Sequence, residues 1–229
     1  MEAQLAVAYV SSFPPRACGI ATFTRDLSEA VVRSGANIVT RDVALNEEGA
    51  SHAYLPQVGW TTGQHEPRSW IAVAQQVNRS RVDLVSIRHE FSISGRLTED
   101  GQFHDHLVGF LDTIRKPVVA TLHTVLPHPC ADLCGAVRTL HDHSRAAVTM
   151  LHMAGPILEE EYGLDPTTLR SIPHGMPEMT RGSPEKIKQA LGCEDRTILC
   201  SIGLLSRATG IDYVIHALPE VIRASVMNA

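Results

Sequence analysis

Three histidines and one acid fall where a parallel sheet would deliver them to a ligand. His89-Glu90 ends the apolar run Val82 to His89, His123 lies at the end of the run Pro117 to Thr124, and His174-Gly175 follows a short run that closes at Ile172. Imidazole and carboxylate groups exchange hydrogen bonds and protons with hydroxyls, so such a set suits a polyhydroxyl ligand or a phosphate ester. A fourth element joins them at the N-terminus. Leu5 to Ser12 reads as a strand, Phe13 to Ala21 as a glycine turn carrying Arg16, Cys18 and Gly19, and Thr22 to Gly35 as a helix. A strand feeding a turn and a helix start leaves free N–H groups and the positive end of a dipole at one point, which suits a phosphate or carboxylate. Each histidine taken alone also fits a satisfied core position, and Gly19 alone also fits a tight turn with nothing bound above it.

Other chemistries have less support. The closest pairs among the twelve histidines are His104/His106 and His141/His143. Both are read on helices, where residues two apart point in different directions and do not share a metal. His128, Cys130 and Cys134 have no evident fourth zinc ligand, so no metal site is expected. There is no G-x-S-x-G elbow and no P-loop.

These residues need elements to carry them. Asn37 to Leu45 reads as a second strand after a helix stop at Gly35, and Trp70 to Asn78 has helical character. Phe103, Leu107, Phe110, Leu111 and Ile114 recur at spacings of three and four, which predicts a helix over Gly101 to Arg115. Ala146 to Met150 is a further strand, Met153 to Tyr162 a helix stopped by Gly163, and Leu169 to Ile172 a short strand. Nearly continuous apolar runs such as Val82 to His89 belong to strands buried on both faces, so the alternation predicts a doubly wound parallel α/β sheet, Rossmann-like. Carboxyl ends of such strands share one crevice, and there the three histidines, Glu90 and Gly19 would converge.

The texture changes near Met176, where residues 176–184 are rich in turn formers. Ser183-Pro184-Glu185 then opens a helix with an N-cap, a first-turn proline and an acid. Thr197 to Gly203 reads as a strand and Gly210 to Ala224 as a helix. The expected organisation is a ligand-binding domain over 1–176, a linker and helix over 177–196, and the first βα unit of an incomplete second domain over 197–229. Poorly covered apolar residues of that unit, Leu199, Ile202, Val214, Ile215 and Leu218, predict self-association or docking.

Of the 229 residues 44% are hydrophobic and 20% charged, with a net charge of -5, so neither a disordered chain nor a footprint for nucleic acid is expected. Glu2 stands where a signal peptide wants a base, and no apolar run is long enough to span a membrane. Five cysteines, Cys18, Cys130, Cys134, Cys193 and Cys200, lack C-x-x-C spacing and suggest a reducing, cytoplasmic setting.

Five segments together resemble family 4 glycosyltransferases, retaining enzymes of the GT-B type. They are FPPRACGIATFTRDL (13–27), RHEFSISG (88–95), TLHTVLPHP (121–129), IPHGMP (172–177) and GLLSRATGIDYVIHALPEV (203–221). The resemblance implies two facing Rossmann-like domains, an N-terminal one for the acceptor and a C-terminal one for the donor. The implied activity is hexosyl transfer from a nucleotide-sugar to a carbohydrate or other hydroxyl acceptor, without metal or other cofactor. By resemblance Gly19 matches the glycine of the first loop, which faces acceptor and donor phosphate, and Arg16 and Cys18 lie in that loop. His123 matches the histidine beside the reacting sugar, His174-Gly175 the domain crossover, and Gly203 and Gly210 the bracket of the donor loop. Leu204 and Thr209 replace that loop's usual basic residues, and Arg207 is the nearby cation. The glutamate pair expected later in a donor domain has no counterpart, so the chain is expected to be truncated and weakly active or inactive alone. A non-catalytic carbohydrate-binding or interaction module is the competing expectation. A dinucleotide-binding oxidoreductase is disfavoured, because the first turn lacks G-x-G-x-x-G.

Overall fold

A computed structural model of the chain describes residues 4–176, 182–202 and 209–227. Two compact units divide it, residues 1–177 and 178–229. The first is built on one sheet in the order β10-β9-β8-β5-β1-β3-β4, with β2 also paired to β1. The strands are β1 (Leu5–Ser11), β2 (Ile38–Thr40), β3 (Asp42–Asn46), β4 (Val58–Gly63), β5 (Leu84–His89), β8 (Val118–Leu122), β9 (Ala146–Thr149) and β10 (Leu169–Ser171). Every pairing in this sheet is parallel, so all carboxyl ends lie along one edge. From β1 the chain moves outward to β3 and β4, then returns beside β1 at β5 and moves outward the other way. The order therefore switches between β1 and β5, where such sheets open a crevice.

Apolar residues on both sheet faces explain the continuous runs. On one face Val7, Tyr9 and Ala44 pack with Phe13 and with Leu27 of α1 (Gly19–Arg33). On the other, Val10, Val43, Ile87 and Ala120 form a larger core with Trp70 and Val77 of α2 (Pro67–Arg79). Phe110 of α4 (Val108–Thr113), Leu140 of α5 (Ala131–Asp142) and Leu158 of α6 (Ala154–Glu160) join that core. The result is the Rossmann-like α/β architecture that the alternation predicts.

Three local expectations change, and one strand is additional. The predicted strand 37–45 divides at Arg41, whose N–H bonds to the Val7 carbonyl (3.0 Å), so β2 and β3 follow β1 in two pieces. β4, sequence VGWTTG, has no apolar run to announce it. The helix predicted over Gly101 to Arg115 is confined to α4, because Phe103–Asp105 is β7 of an antiparallel hairpin with β6 (Gly95–Leu97). Gly101 turns that hairpin at φ +83, and the Asp105 carboxylate accepts the Leu107 N–H (2.8 Å), ending the strand before α4 begins. The glycine turn after β1 is instead a Phe13–Arg16 turn with a cis Pro14–Pro15 bond, and Gly19 is the first residue of α1.

In the second unit the described residues form α7 (Pro184–Ala190) and α8 (Ile211–Met227). Ser183 caps α7 by accepting the Lys186 N–H, as its Ser-Pro-Glu start predicts. Residues 197–202 are not in a strand, contrary to expectation, since they are largely exposed and have no pairing partner among the described residues. No helix of the described residues is long and apolar enough to cross a membrane.

Candidate functional site

The carboxyl edge of the first unit's sheet gathers several of the predicted residues. Following β1, Cys18 occupies the N-cap of α1 in an extended conformation without a side-chain cap bond, and the first turn of α1 contains no acid. Its leading N–H groups are thus not satisfied by a capping side chain, and a Cβ on Gly19 would meet no described residue within 4 Å. An anion would find open space and dipole there. Arg16 does not add a free charge. Its guanidinium bonds to the Leu45 carbonyl (3.2 Å) and pairs with Glu47 (3.2 Å).

Four residues further along α1, Phe23 stands between two of the predicted histidines. Its ring centroid lies 5.0 Å from that of His123, edge to face, and 4.8 Å from that of His174, tilted. Both imidazoles therefore flank one aromatic ring, a contact worth about 0.5–1.5 kcal/mol per pair beyond area burial. His123 is held by its backbone, whose N–H donates to the His89 carbonyl (3.0 Å). Its Nε2 is buried with no hydrogen-bond partner among the described residues. Burial, then the Arg88 charge and His174, push its pKa down to about 4, so the ring is neutral at physiological pH. A neutral imidazole with an unmet nitrogen is a donor or acceptor for a ligand hydroxyl.

Arg88 is the principal residue that the sequence reasoning left out. It is only 5% exposed and donates through Nη1 to the Thr121 hydroxyl. Its Cζ lies 5.0 Å from the Tyr9 ring and 5.7 Å from the Phe23 ring. Burial lowers its pKa to about 10, which still leaves a full positive charge at neutral pH. Beside it Asp42 is pushed up by burial to about 7, so it only partly neutralises that charge. A signal for Arg88 exists in the sequence: an arginine inside an apolar strand must find partners or a ligand.

His89 and Glu90 behave differently. His89 is fully buried, neither ring nitrogen has a hydrogen-bond partner among the described residues, and its ring packs edge to face on Phe91 at 5.0 Å. Side chains alternate along a strand, so His89 shares the face of Ile87 in the large core whereas Arg88 faces α1. It supports the site from below rather than lining it. Glu90 is half-buried at the N-cap of α3 (Phe91–Ser94) and accepts a hydrogen bond from the Thr124 hydroxyl, linking the ends of β5 and β8. His174 and Gly175 are exposed, with His174 Nδ1 2.7 Å from the Gly175 carbonyl oxygen.

A second cluster on the same edge was not expected. His65, just after β4, and His106, just after β7, have ring centroids 5.5 Å apart. Gln64 Oε1, His65 Nδ1, Asp105 Oδ2 and His106 Nε2 are all buried without partners among the described residues. His104 and His106 therefore do not form the exposed helical pair predicted, because the hairpin takes the place of that part of the helix. Among the described residues no group of three or more His, Cys, Asp or Glu is arranged to hold a metal ion.

Of the predicted donor loop, Gly203 and Arg207 lie outside the described residues. Thr209 and Gly210 precede α8, with Gly210 at φ +65 and its carbonyl accepting the Tyr213 N–H (3.1 Å).

No family model and no curated protein matches this chain. Solved structures do resemble it in fold. A glycosyltransferase from Rickettsia africae ESF-5 superposes with a TM-score of 0.53 at 12% identity, over 84% of this chain and 50% of that one. A UDP-N-acetylglucosamine 2-epimerase from Rickettsia bellii gives 0.45 at 10% identity, over 73% and 44%. An alpha-glucosyltransferase in complex with UDP and a 13-mer DNA gives 0.42 at 12% identity, over 65% and 37%. The chain thus spans half or less of the length of these three structures. Its own fold is glycosyltransferase-like, a mostly parallel Rossmann-like α/β sheet with flanking helices.

Proposed function

We propose that this chain carries the acceptor side of a retaining glycosyltransferase of the family 4 type, which moves a sugar from a nucleotide-sugar to a carbohydrate or other hydroxyl acceptor. The observation that carries this reading is the grouping of His123 and His174 around Phe23, above the buried charge of Arg88 and at the sheet's switch point. Aromatic and imidazole rings offer a sugar both a stacking surface and hydroxyl partners. The uncapped start of α1 offers a place for negative charge. Sugar transfer from a nucleotide diphosphate needs charge stabilised as the diphosphate leaves, and preorganised dipoles and cations supply such stabilisation. His123 is assigned the position beside the reacting sugar, where its neutral ring hydrogen-bonds a hydroxyl.

The 229-residue chain is tested by incubation with UDP-, GDP- and ADP-sugars and mannose- or glucose-terminated acceptors. Saturation-transfer NMR reads binding and mass spectrometry reads product. Acceptor binding that His123→Ala weakens supports the reading, and the absence of carbohydrate binding overturns it. A second reading, a carbohydrate-binding module without transfer, is favoured by the described part of the second unit, which contributes α7 and α8 but no sheet to hold a donor. Binding without product under every donor selects it for this chain.

A further inference from the structure

Parallel strands place a second edge opposite the crevice, and a pocket of about 590 Å³ lies there between α2 and the connection from α4 to β8. Its lining is Gln75, Asn78, Arg79, Thr113, Arg115 and Lys116, three cations and three neutral hydrogen-bonding side chains with no carboxylate. Asn78 fixes the floor: its amide donates to the Thr113 carbonyl (2.9 Å) and its side-chain oxygen accepts the Arg115 N–H (2.8 Å). Arg79, Arg115 and Lys116 make no ion pair with any carboxylate among the described residues. Cations at helix ends often serve only to balance the dipole. Here the ends of α2 and α4 contribute at most about half a negative charge each against three positive ones, which leaves a surplus of about two. The whole chain carries -5, so this local excess runs against its overall charge.

We propose that this pocket binds a ligand bearing clustered phosphates, with Arg79, Arg115 and Lys116 neutralising it and the Gln75 amide completing its hydrogen bonds, while the Thr113 hydroxyl is held by the Gly109 carbonyl (2.7 Å). Guanidinium and ammonium groups around a concave polar floor suit phosphate oxygens. The site lies at the opposite end of the sheet from His123, so its occupancy leaves the crevice open. Phosphate groups of this kind occur both on soluble compounds and on lipid headgroups. Calorimetric titration of the 229-residue chain with inorganic pyrophosphate at low ionic strength tests the soluble source. Co-sedimentation with vesicles of a phosphatidylinositol bisphosphate in phosphatidylcholine tests the headgroup.

Whichever probe binds, Lys116→Gln is expected to weaken it about ten-fold or more, the change that follows from losing one charge-assisted contact. Lys116→Arg retains binding, and Lys186→Gln, which removes a charge on α7, leaves it unchanged. Circular dichroism of each variant verifies its fold. Pyrophosphate binding alone assigns a soluble ligand; vesicle binding sensitive to Lys116 assigns the headgroup. If neither probe binds, or if binding persists in the triple variant Arg79→Gln/Arg115→Gln/Lys116→Gln, the proposal is wrong.

Discussion

His89 has no hydrogen-bond partner among the described residues at either ring nitrogen, and its burial, followed by the nearby His123, lowers its pKa to about 4 from the ordinary 6.5. Between those values the unfolded chain binds a proton that the folded chain refuses. Its contribution is therefore complete above about pH 6.5 and is lost as the pH falls toward 4, on the order of 3 kcal/mol for such a shift. Asp42 works in the opposite sense: burial raises it to about 7, so its contribution grows as the pH falls through the same window. Replacing His89 by Leu removes the first effect and leaves the second. Urea unfolding at pH 5 and pH 7.5 should show His89→Leu gaining stability relative to the parent at pH 5 and little changed at pH 7.5. His123→Ala is the contrasting case. Its ring is half-buried at the edge of the sheet, so carbohydrate binding should fall about ten-fold with the thermal midpoint nearly unchanged, as scanning calorimetry and NMR titration will show. Unfolding of His123→Ala would assign this histidine to the core instead.

At the scale of elements, the β6–β7 hairpin depends on one close approach. A Cβ on Gly95 would lie 2.3 Å from the Phe103 ring and 2.5 Å from the His104 carbonyl oxygen, and the oxygen belongs to backbone that cannot swing aside. Gly95→Ala should therefore cost about 1–3 kcal/mol, the usual range for overpacking. Phe103 packs on Phe91, which packs on His89, so the disturbance points toward the end of β5. Limited proteolysis should cut the variant between residues 95 and 105 faster than the parent. Equal cleavage rates would show that the hairpin tolerates the methyl group by shifting Phe103.

Every buried hydrophobic residue among the described ones lies between Val7 and Leu164, within the first unit. A fragment comprising residues 1–177 should accordingly fold with the thermal midpoint of the full chain within a few degrees, read by circular dichroism. Loss of cooperative unfolding in that fragment would show that the second unit is needed for the core. Apolar side chains of the second unit are exposed instead, among them Leu199, Ile202, Val214 and Ile215. Exposed apolar groups of this kind favour association, so the full chain is expected to form dimers or larger species in sedimentation velocity while the 1–177 fragment stays monomeric. A monodisperse monomer of the full chain overturns that expectation.

The parallel sheet and the crowding of His123, His174 and the start of α1 along one edge were legible in the sequence, because strands buried on both faces must read as apolar runs and parallel strands must end together. The same continuity hides orientation. The strand alternates, Leu84, Ser86 and Arg88 on one face and Val85, Ile87 and His89 on the other, but only the neighbouring strands and helices decide that the first face meets α1 and the second the larger core. Phe23, between two histidines that lie 100 and 151 positions away in the chain, carries no local mark of that role. The helix predicted over Gly101 to Arg115 failed for a related reason: Phe103 keeps helical spacing with Leu107, yet Gly101 and Gly95 allow a hairpin in which it packs on Phe91. Local periodicity records that a side chain is buried, and tertiary structure decides against what.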